Sequence, residues 1–322
     1  MKTYYFIILS LAFISCSTAQ LPIKNVPVHD PVIIKQDSTY YLFSTGNGIK
    51  VQSSKDLQNW KPEKSVFASA PVWAVNAIPT FKGHIWAPDI SYHNSQYYLF
   101  YSVSVFGKNS SAIGVATNKT LNQSDSNFKW VDHGKVVESI PGKNNWNAID
   151  PNIIKDDSGK NWMTFGSFWD GIKMVQLTND LLNIDTSIYK IETIASQNKK
   201  GEFGNNAIEA PFIFKKGSYY YLFASIDYCC KAEKSTYKMI VGRSKDIRGP
   251  YLDQSNIPLT NGGGTVLLTG NKNWYGVGHN AVYNADGKYY LVFHGYDASD
   301  NGKSKLRIEI LNWKNNWPLV KL

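Results

Sequence analysis

Short hydrophobic runs recur along the chain at a regular spacing and predict β-strands. The runs are rich in aromatic side chains, which favours packing between neighbouring sheets. They are Tyr40–Phe43, Tyr97–Phe100, Trp162–Phe165, Tyr219–Leu222 and Tyr289–Val292. Long amphipathic helical patterns are absent from the sequence, so these strands are expected to dominate the fold.

Two further strand-like segments accompany each run. An opening segment lies about ten residues before it, and its first positions often carry an acid or a histidine. The openings are His29–Ile33, Trp86–Ile90, Ile149–Ile153, Glu209–Ile213 and Gly278–Val282. An alternating segment rich in β-branched residues comes after the run and predicts a third strand. These segments are Ile49–Ser54, Ile113–Thr117, Ile172–Leu177, Lys238–Gly242 and Leu306–Ile310.

The repeat of about sixty residues predicts an array or a ring of small sheets. One antiparallel sheet of this size cannot bury both of its faces alone, whereas five sheets around an axis can. We therefore expect an all-β fold, a five-bladed β-propeller that spans residues 21–322 as a single domain. A β-sandwich is the alternative, but it would not explain the aligned polar residues at the openings.

Residues 1–19 have the pattern of an export signal that is removed from the mature protein. Lys2 precedes an apolar stretch, and small residues stand before Gln20. The alternative is a lipoprotein signal that ends before Cys16, which would then carry the lipid. Both interpretations predict an exported protein that is secreted, periplasmic or lipid-anchored at the cell envelope.

The net charge of +9 is scattered along the chain without a dense basic block, which disfavours a nucleic-acid partner. A weak attraction to an acidic polysaccharide fits this charge better. Aromatic residues make up 14% of the chain, and their flat side chains are suited to serve as platforms for sugars. No feature of the sequence implies a protein partner.

Cys229 and Cys230 are the cysteines that follow the predicted signal. Adjacent side chains diverge along a strand, so a relaxed disulfide between them is not expected. We expect two small side chains that pack in the interior.

The repeat aligns ionisable residues at the strand openings. Asp30, Asp150 and His279 occupy one column, which a propeller would gather around one end of its axis. Glu209 lies one residue earlier, and in a regular strand it would face the opposite side. We therefore expect an irregular strand start, or an entry of Glu209 into the cavity from a different angle. Two carboxyl groups that flank a sugar bond suffice for glycoside hydrolysis, and a third can tune the pKa of the acid.

Taken together, the openings resemble glycoside hydrolase family 43, and most closely its endo-1,5-α-L-arabinanases. The matching residues are His29–Pro31, Trp86–Asp89, Asn147–Asn152, Phe165–Trp169, Glu209–Phe212, Ser225–Cys230, Gly278–Asn280 and His294–Asp297. The match covers nearly the whole mature chain, and it implies a five-bladed propeller.

The resemblance implies an inverting hydrolysis in which each acid has its own role. Asp30 would be the general base that activates water, and Glu209 would be the general acid on the leaving oxygen. Asp150 would raise the pKa of Glu209 and orient it. The carboxyl groups of base and acid would then lie roughly 6.5–9.5 Å apart, which leaves room for the water.

The same resemblance implies a set of binding residues. Trp86 and Phe106 would shape the sugar-binding groove, while Asn147 and Ser167 would form hydrogen bonds with the sugar near the broken bond. His279 would hold a hydrated calcium ion. Because calcium prefers oxygen ligands, water molecules would fill the other positions around it.

The implied substrate is arabinan, a side chain of pectin in the plant cell wall, and we expect cleavage in the endo mode. An exo-acting α-L-arabinofuranosidase or a β-xylosidase of the same family is the first alternative. A sugar-binding propeller without catalysis is the second, but the presence of Asp30, Asp150 and Glu209 disfavours it.

Overall fold

The computed structural model describes residues 25–188, 190–198 and 205–322. The export signal predicted over residues 1–19, including its lipoprotein alternative at Cys16, lies outside the described residues. Across the ranges that are described, no helix is both long and apolar enough to cross a membrane.

The first half of the chain forms two antiparallel sheets. Its strands are β1 (Val32–Gln36), β2 (Thr39–Ser44), β3 (Gly46–Asn47), β4 (Lys50–Ser54), β5 (Lys61–Glu63), β6 (His84–His93), β7 (Gln96–Val103), β8 (Ser111–Asn118) and β9 (Val131–Ser139). The first sheet has the order β1-β2-β4-β5, and the second has the order β3-β6-β7-β8-β9. A short helix, α1 (Val72–Ala77), precedes β6.

Three more sheets and a small hairpin complete the fold. Their strands are β10 (Asn152–Lys155), β11 (Asn161–Phe165), β12 (Ile172–Leu177), β13 (Glu192–Ala195), β14 (Ile208–Lys216), β15 (Tyr219–Ile226), β16 (Lys238–Ser244), β17 (Thr265–Leu268), β18 (Trp274–Ala285), β19 (Lys288–Asp297), β20 (Lys303–Ile310), β21 (Asn312–Lys314) and β22 (Trp317–Leu319). The sheet orders are β10-β11-β12-β13, β14-β15-β16-β17 and β18-β19-β20, followed by the β21-β22 hairpin. Each sheet is one blade, and the predicted five-bladed β-propeller is confirmed.

The aromatic runs form the second strand of each blade, where both faces of the sheet are buried. Tyr41 and Phe43 pack against the second blade, while Tyr40 and Leu42 pack against the fifth. Alternate side chains of one strand therefore serve two different interfaces. Within the described ranges, a buried apolar cluster lies at each of the five interfaces between neighbouring blades. Each fully buried side chain of this size contributes about 1.5–3 kcal/mol to stability.

The ring is closed by the beginning of the described chain. Pro27 forms an antiparallel bridge with Lys305 of β20, and the N–H of Leu306 donates to the carbonyl of Val26 at 2.8 Å. The fifth blade has only three strands of its own, so this segment supplies its outer edge. First and last blades are thereby joined by backbone hydrogen bonds.

Candidate active site

The innermost strand of every blade is preceded or interrupted by a residue in the left-handed backbone conformation, with φ between +42° and +58°. These residues are Asp30, Ala87, Asp150, Ala210 and His279. In the fourth blade the register between β14 and β15 shifts between Glu209 and Phe212. Such a bulge re-aims the neighbouring side chain. Because of this bulge, Glu209 reaches the cavity around Asp30 and Asp150 although it lies one residue before the aligned column. The predicted irregular strand start is confirmed.

A ring of hydrogen bonds ties this column to the preceding blades. In four blades, the backbone N–H of the column residue donates to a side chain at the end of the preceding blade's second strand. The bonds join Asp30 N to His294 Nδ1 (3.2 Å), Ala87 N to Thr45 Oγ1 (2.8 Å), Asp150 N to Ser102 Oγ (3.0 Å) and His279 N to Ser225 Oγ (2.8 Å). The openings of the inner strands are therefore held in fixed relative positions.

The third blade departs from this pattern because it has Gly166 where the others carry a polar side chain. Here the N–H of Ala210 donates to Asp150 Oδ2 at 3.1 Å. A Cβ atom at Gly166 would lie 2.6 Å from the carbonyl oxygen of Gly171, so the position excludes a side chain. Asp150 consequently binds the residue that directly follows Glu209, and it fixes the backbone that carries this acid.

Asp30 is surrounded by groups that favour its ionised form. Thr45 Oγ1 donates to Asp30 Oδ2 at 2.5 Å, and His279 Nδ1 lies 3.0 Å from Asp30 Oδ1. Burial raises the pKa of Asp30, but the charge and hydrogen bond of His279, with help from His29, hold this pKa well below its usual value. Asp30 is therefore a carboxylate at neutral pH.

His279 is the cation of the site. Burial alone would lower its pKa, but the negative charge of Asp30, with smaller contributions from Asp150 and Glu209, raises it to about 9. His294 differs, because burial and the neighbouring His29 hold its pKa well below the usual value. A neutral His294 fits its contact, since its Nδ1 accepts the N–H of Asp30.

In contrast to Asp30, Asp150 and Glu209 have surroundings that favour the protonated carboxyl group. Burial raises the pKa of Asp150, and the negative charges of Glu209 and Asp30 contribute to a value of about 8. Burial likewise raises the pKa of Glu209, and Asp30 adds to the increase. The Asp150–Glu209 pair therefore retains a proton near neutral pH.

Two hydroxyl groups face Glu209. Ser167 Oγ donates to Glu209 Oε2 at 2.7 Å, and the hydroxyl of Tyr237 also lowers the pKa of Glu209. The ring of Tyr237 occupies space that a side chain at residue 278 would fill, and that residue is glycine. In the fifth blade, Gly278 lies at the position that Glu209 occupies in the fourth blade. Because Gly278 has no side chain, the ring of Tyr237 can lie in the site.

The predicted binding residues have different surroundings. Trp86 is half-buried at the position that corresponds to Glu209, and its indole N–H donates to His84 Nδ1 at 3.0 Å. Phe106 is 79% exposed in the β7–β8 connection, so it does not serve core packing. Asn147 is buried, and its Oδ1 accepts from Ser111 Oγ at 2.6 Å. Ser167 donates a hydrogen bond to Glu209, the predicted acid. The sequence predicted a hydrogen bond from Ser167 to the sugar, and not this contact.

Thr45, Tyr237 and the acceptor role of His294 were not predicted. A signal for two of them exists in the repeat, because Thr45 and His294 belong to one column at the ends of the second strands. This column comprises Thr45, Ser102, Gly166, Ser225 and His294. Tyr237 lies outside the repeated segments and gives no such signal.

The expectation of two simply packed cysteines is wrong. Cys229 and Cys230 are joined by a disulfide in the β15–β16 connection, on the same end of the propeller as Glu209. Cys230 is exposed and has a left-handed backbone, with φ of +64°. The argument from diverging side chains applies to a regular strand, and this connection is a turn. Cys230 N–H also donates to the hydroxyl of Tyr296 at 2.7 Å.

Groups that are able to bind a metal ion lie beside the carboxylates. Ligand atoms of His29, Asp30 and His294 lie within 4.8 Å of one another. His294 Nδ1 already accepts a hydrogen bond from Asp30, which occupies the lone pair of that nitrogen. The buried Oδ1 of Asn280, next to His279, has no hydrogen-bond partner in the described part of the chain. A carbonyl oxygen of this kind suits calcium.

An ionised carboxylate and a proton-holding carboxyl pair around the axis of a five-bladed propeller have the chemistry of a glycoside hydrolase site. The model of "Glycosyl hydrolases family 43" matches residues 19–318. This chain belongs to that family.

Relatives are similar over almost their whole length. The "Extracellular exo-alpha-(1->5)-L-arabinofuranosidase ArbA" of Cellvibrio japonicus is 49% identical, over 97% of this chain and 91% of that protein. The "Extracellular endo-alpha-(1->5)-L-arabinanase 1" of Bacillus subtilis is 43% identical, over 92% and 88%. The crystal structure of an exo-1,5-alpha-L-arabinanase from a bovine ruminal metagenomic library has a TM-score of 0.89 and 47% identity, over 94% and 100%.

Proposed function

We propose that this protein hydrolyses α-1,5-linked L-arabinofuranosyl bonds of arabinan, the pectin side chain of plant cell walls, with inversion of configuration. The observation that carries the proposal is the difference in surroundings between two buried carboxyl groups at one end of the axis. His279 Nδ1 and Thr45 Oγ1 lie 3.0 and 2.5 Å from the oxygens of Asp30, whereas Glu209 accepts from the neutral hydroxyl of Ser167 at 2.7 Å. An inverting glycosidase needs one ionised base and one protonated acid at the same pH. The names of the relatives support arabinan as the substrate.

In this mechanism Asp30 accepts a proton from the attacking water, and Glu209 protonates the departing oxygen. Asp150 accepts the N–H of the residue after Glu209 and thereby fixes the backbone that carries the acid. The mutual repulsion of the two carboxyl groups keeps one proton on the Asp150–Glu209 pair near neutral pH. Ser167 fixes one carboxylate oxygen of Glu209, which leaves the other to face the leaving group. Trp86 and Phe106 would form the walls of the groove, and the amide of Asn147 would contact the sugar.

The cleavage mode has two candidates. The motifs favour the endo mode, but the relatives of 49% and 47% identity carry exo names, which favours an exo mode for this chain. Digestion of debranched arabinan with products followed over time distinguishes them. Short oligomers of mixed length appear early in the endo mode, and one short product dominates from the start in the exo mode. Failure to release any arabinose-containing product would contradict the proposal itself.

We propose calcium as a supporting ion near His279, with Asn280 Oδ1 as a neighbouring oxygen ligand and water in the other positions. His279 would have to be neutral to bind the ion, which would then take over the positive charge that an imidazolium supplies beside Asp30. The ion would thereby stabilise the ionised form of Asp30. Treatment with a strong chelator should lower the midpoint of thermal unfolding of the wild type, and the His279→Ala variant should no longer respond. An unchanged midpoint and no metal in the purified protein by elemental analysis would remove this assignment.

We also propose that the protein is exported, as the sequence predicts. Both curated relatives described above are named extracellular. An arabinan polymer outside the cell requires an enzyme that reaches it, and fractionation of the producing cells tests the location.

A further inference from the structure

Thr45 differs from the other side chains that accept a backbone N–H from the following blade. Like Ser102 and Ser225, it accepts a backbone N–H from the following blade. Unlike either serine, it also donates to a carboxylate, Asp30 Oδ2, at 2.5 Å. One hydroxyl group therefore connects the opening of the first blade to the opening of the second.

The direction of these two hydrogen bonds is fixed by chemistry. The backbone N–H of Ala87 can only donate, so the oxygen of Thr45 must accept from it at 2.8 Å. The hydroxyl has a single proton, and that proton is then directed at Asp30. Thr45 is half-buried, which limits the competition of water for either bond. The hydroxyl is thus preorganised as a donor to the carboxylate.

The second oxygen of Asp30 has a different partner. Oδ1 lies 3.0 Å from His279 Nδ1, while Oδ2 is held by Thr45. With one partner on each oxygen, rotation of the carboxylate about its Cβ–Cγ bond is prevented. The position of the lone pairs that would receive the proton of water is therefore set by Thr45 and His279 together.

Thr45 also connects the base to the wall of the groove. Ala87 directly follows Trp86, and both belong to the irregular start of the second blade's inner strand. The Thr45 bond to Ala87 N therefore fixes the backbone from which Trp86 projects. A sugar that rests on Trp86 and a water held by Asp30 would be aligned by the same hydroxyl group.

From these contacts we infer that Thr45 is a positioning residue for the reaction, one that orients the carboxylate of Asp30 and holds it in register with Trp86. The inference rests on the proposed role of Asp30 as the general base. It extends that proposal to a side chain that would act through Asp30 and not directly on the water or the sugar.

The test compares Thr45→Val, which keeps the shape but lacks the hydroxyl, with Thr45→Ser, which keeps the hydroxyl but lacks the methyl group. Steady-state kinetics on a linear arabino-oligosaccharide should show a fall in kcat of about 10- to 100-fold for Thr45→Val, as expected when a reacting group is misaligned. KM should change less than kcat, since the sugar can still rest on a slightly displaced Trp86, whereas the reaction needs the aligned carboxylate of Asp30. Thr45→Ser should remain within about threefold of the wild type in kcat.

Thermal unfolding of each variant accompanies the kinetics, because Thr45→Val also removes an acceptor from Ala87 N. If Thr45→Val does not fold, Thr45→Ala takes its place in the comparison with Thr45→Ser. The inference is overturned if the variant without a hydroxyl keeps its kcat, or if Thr45→Ser loses as much kcat as Thr45→Val. Asp30→Asn separates the two proposals, since full activity of that variant would overturn the role of Asp30 itself.

Discussion

Asp30 and Glu209 carry the same functional group, but their neighbours differ. Asp30 meets the cationic ring of His279 and the hydroxyl of Thr45, whereas Glu209 meets the neutral hydroxyl of Ser167. Burial raises the pKa of both residues, and only at Asp30 does a nearby positive charge outweigh it. The proposed division of labour, with Asp30 as the base and Glu209 as the acid, therefore follows from the side chains around them.

The Asp150→Asn variant tests the electrostatic part of this account. As the proposed acid, Glu209 must be protonated, so we expect activity to be lost as the pH rises through the upper pKa of the Asp150–Glu209 pair. An asparagine can still accept the N–H of Ala210, but it has no negative charge to raise the pKa of Glu209. We expect the alkaline limb of the kcat/KM profile to move to lower pH. A limb that stays in place or moves to higher pH would contradict the coupling of the pair.

At this scale the sequence indicated the three carboxyl groups of the site, but not the side chains that contact them. Asp30, Asp150 and Glu209 stand out because carboxyl groups at the openings of a repeat are unusual. Ser167 and Thr45 do not stand out, because serine and threonine are common at strand ends for many structural reasons. The disulfide of Cys229 and Cys230 was missed because the turn that contains it leaves no pattern in the sequence.

At the scale of the element, the openings of the inner strands place the side chains. A regular strand would direct Glu209 away from Asp150, and the left-handed residue Ala210 between two register positions prevents this. The repeat indicated that an irregularity was needed, but not its form. Each hydrogen bond between blades joins a side chain of one strand to a backbone N–H of a distant strand. Such a pair can be recognised only when the positions of both strands are known.

Gly278→Ala tests the close approach at one of these openings. A Cβ atom there would overlap the ring of Tyr237, which then has to move away from Glu209. We expect a loss of about 1–3 kcal/mol in the free energy of unfolding, together with a marked fall in kcat.

Gly287→Ala is the matched control for this variant. Gly287 lies in the β18–β19 turn with φ of +73°, and a Cβ atom there meets no other atom within 4 Å. Its substitution costs about 1–2 kcal/mol through the left-handed backbone alone, and kcat should be preserved. Equal effects of both variants on kcat would show that the contact with Tyr237 is not needed.

At the scale of the whole molecule, the fold was predictable because each blade obeys the same rule. A strand with both faces buried has a continuous apolar sequence, and five such strands at one spacing require five interfaces. The closure of the ring could not be predicted in the same way. Val26 and Val28 belong to no repeated segment, yet both are buried between the first and the fifth blades.

Removal of the residues before His29 tests this closure. The shortened chain loses the bridge to Lys305 and the burial of Val26 and Val28, and we expect the free energy of unfolding to fall by at least about 3 kcal/mol. A chain that begins at Asn25 is the control, since it retains the segment. Chemical denaturation of the two proteins measures the difference, and equal stability would mean that the segment does not hold the ring closed.

The assignment of acid and base is tested most directly by the dependence of variant rates on the leaving group. Glu209→Gln and Asp30→Asn are compared on an arabino-oligosaccharide and on the same sugar with a dinitrophenyl leaving group, which departs without protonation. We expect Glu209→Gln to lose activity on the natural bond but largely to recover it on the activated one, while Asp30→Asn should be equally impaired on both. Equal losses for Glu209→Gln on the two substrates would contradict it.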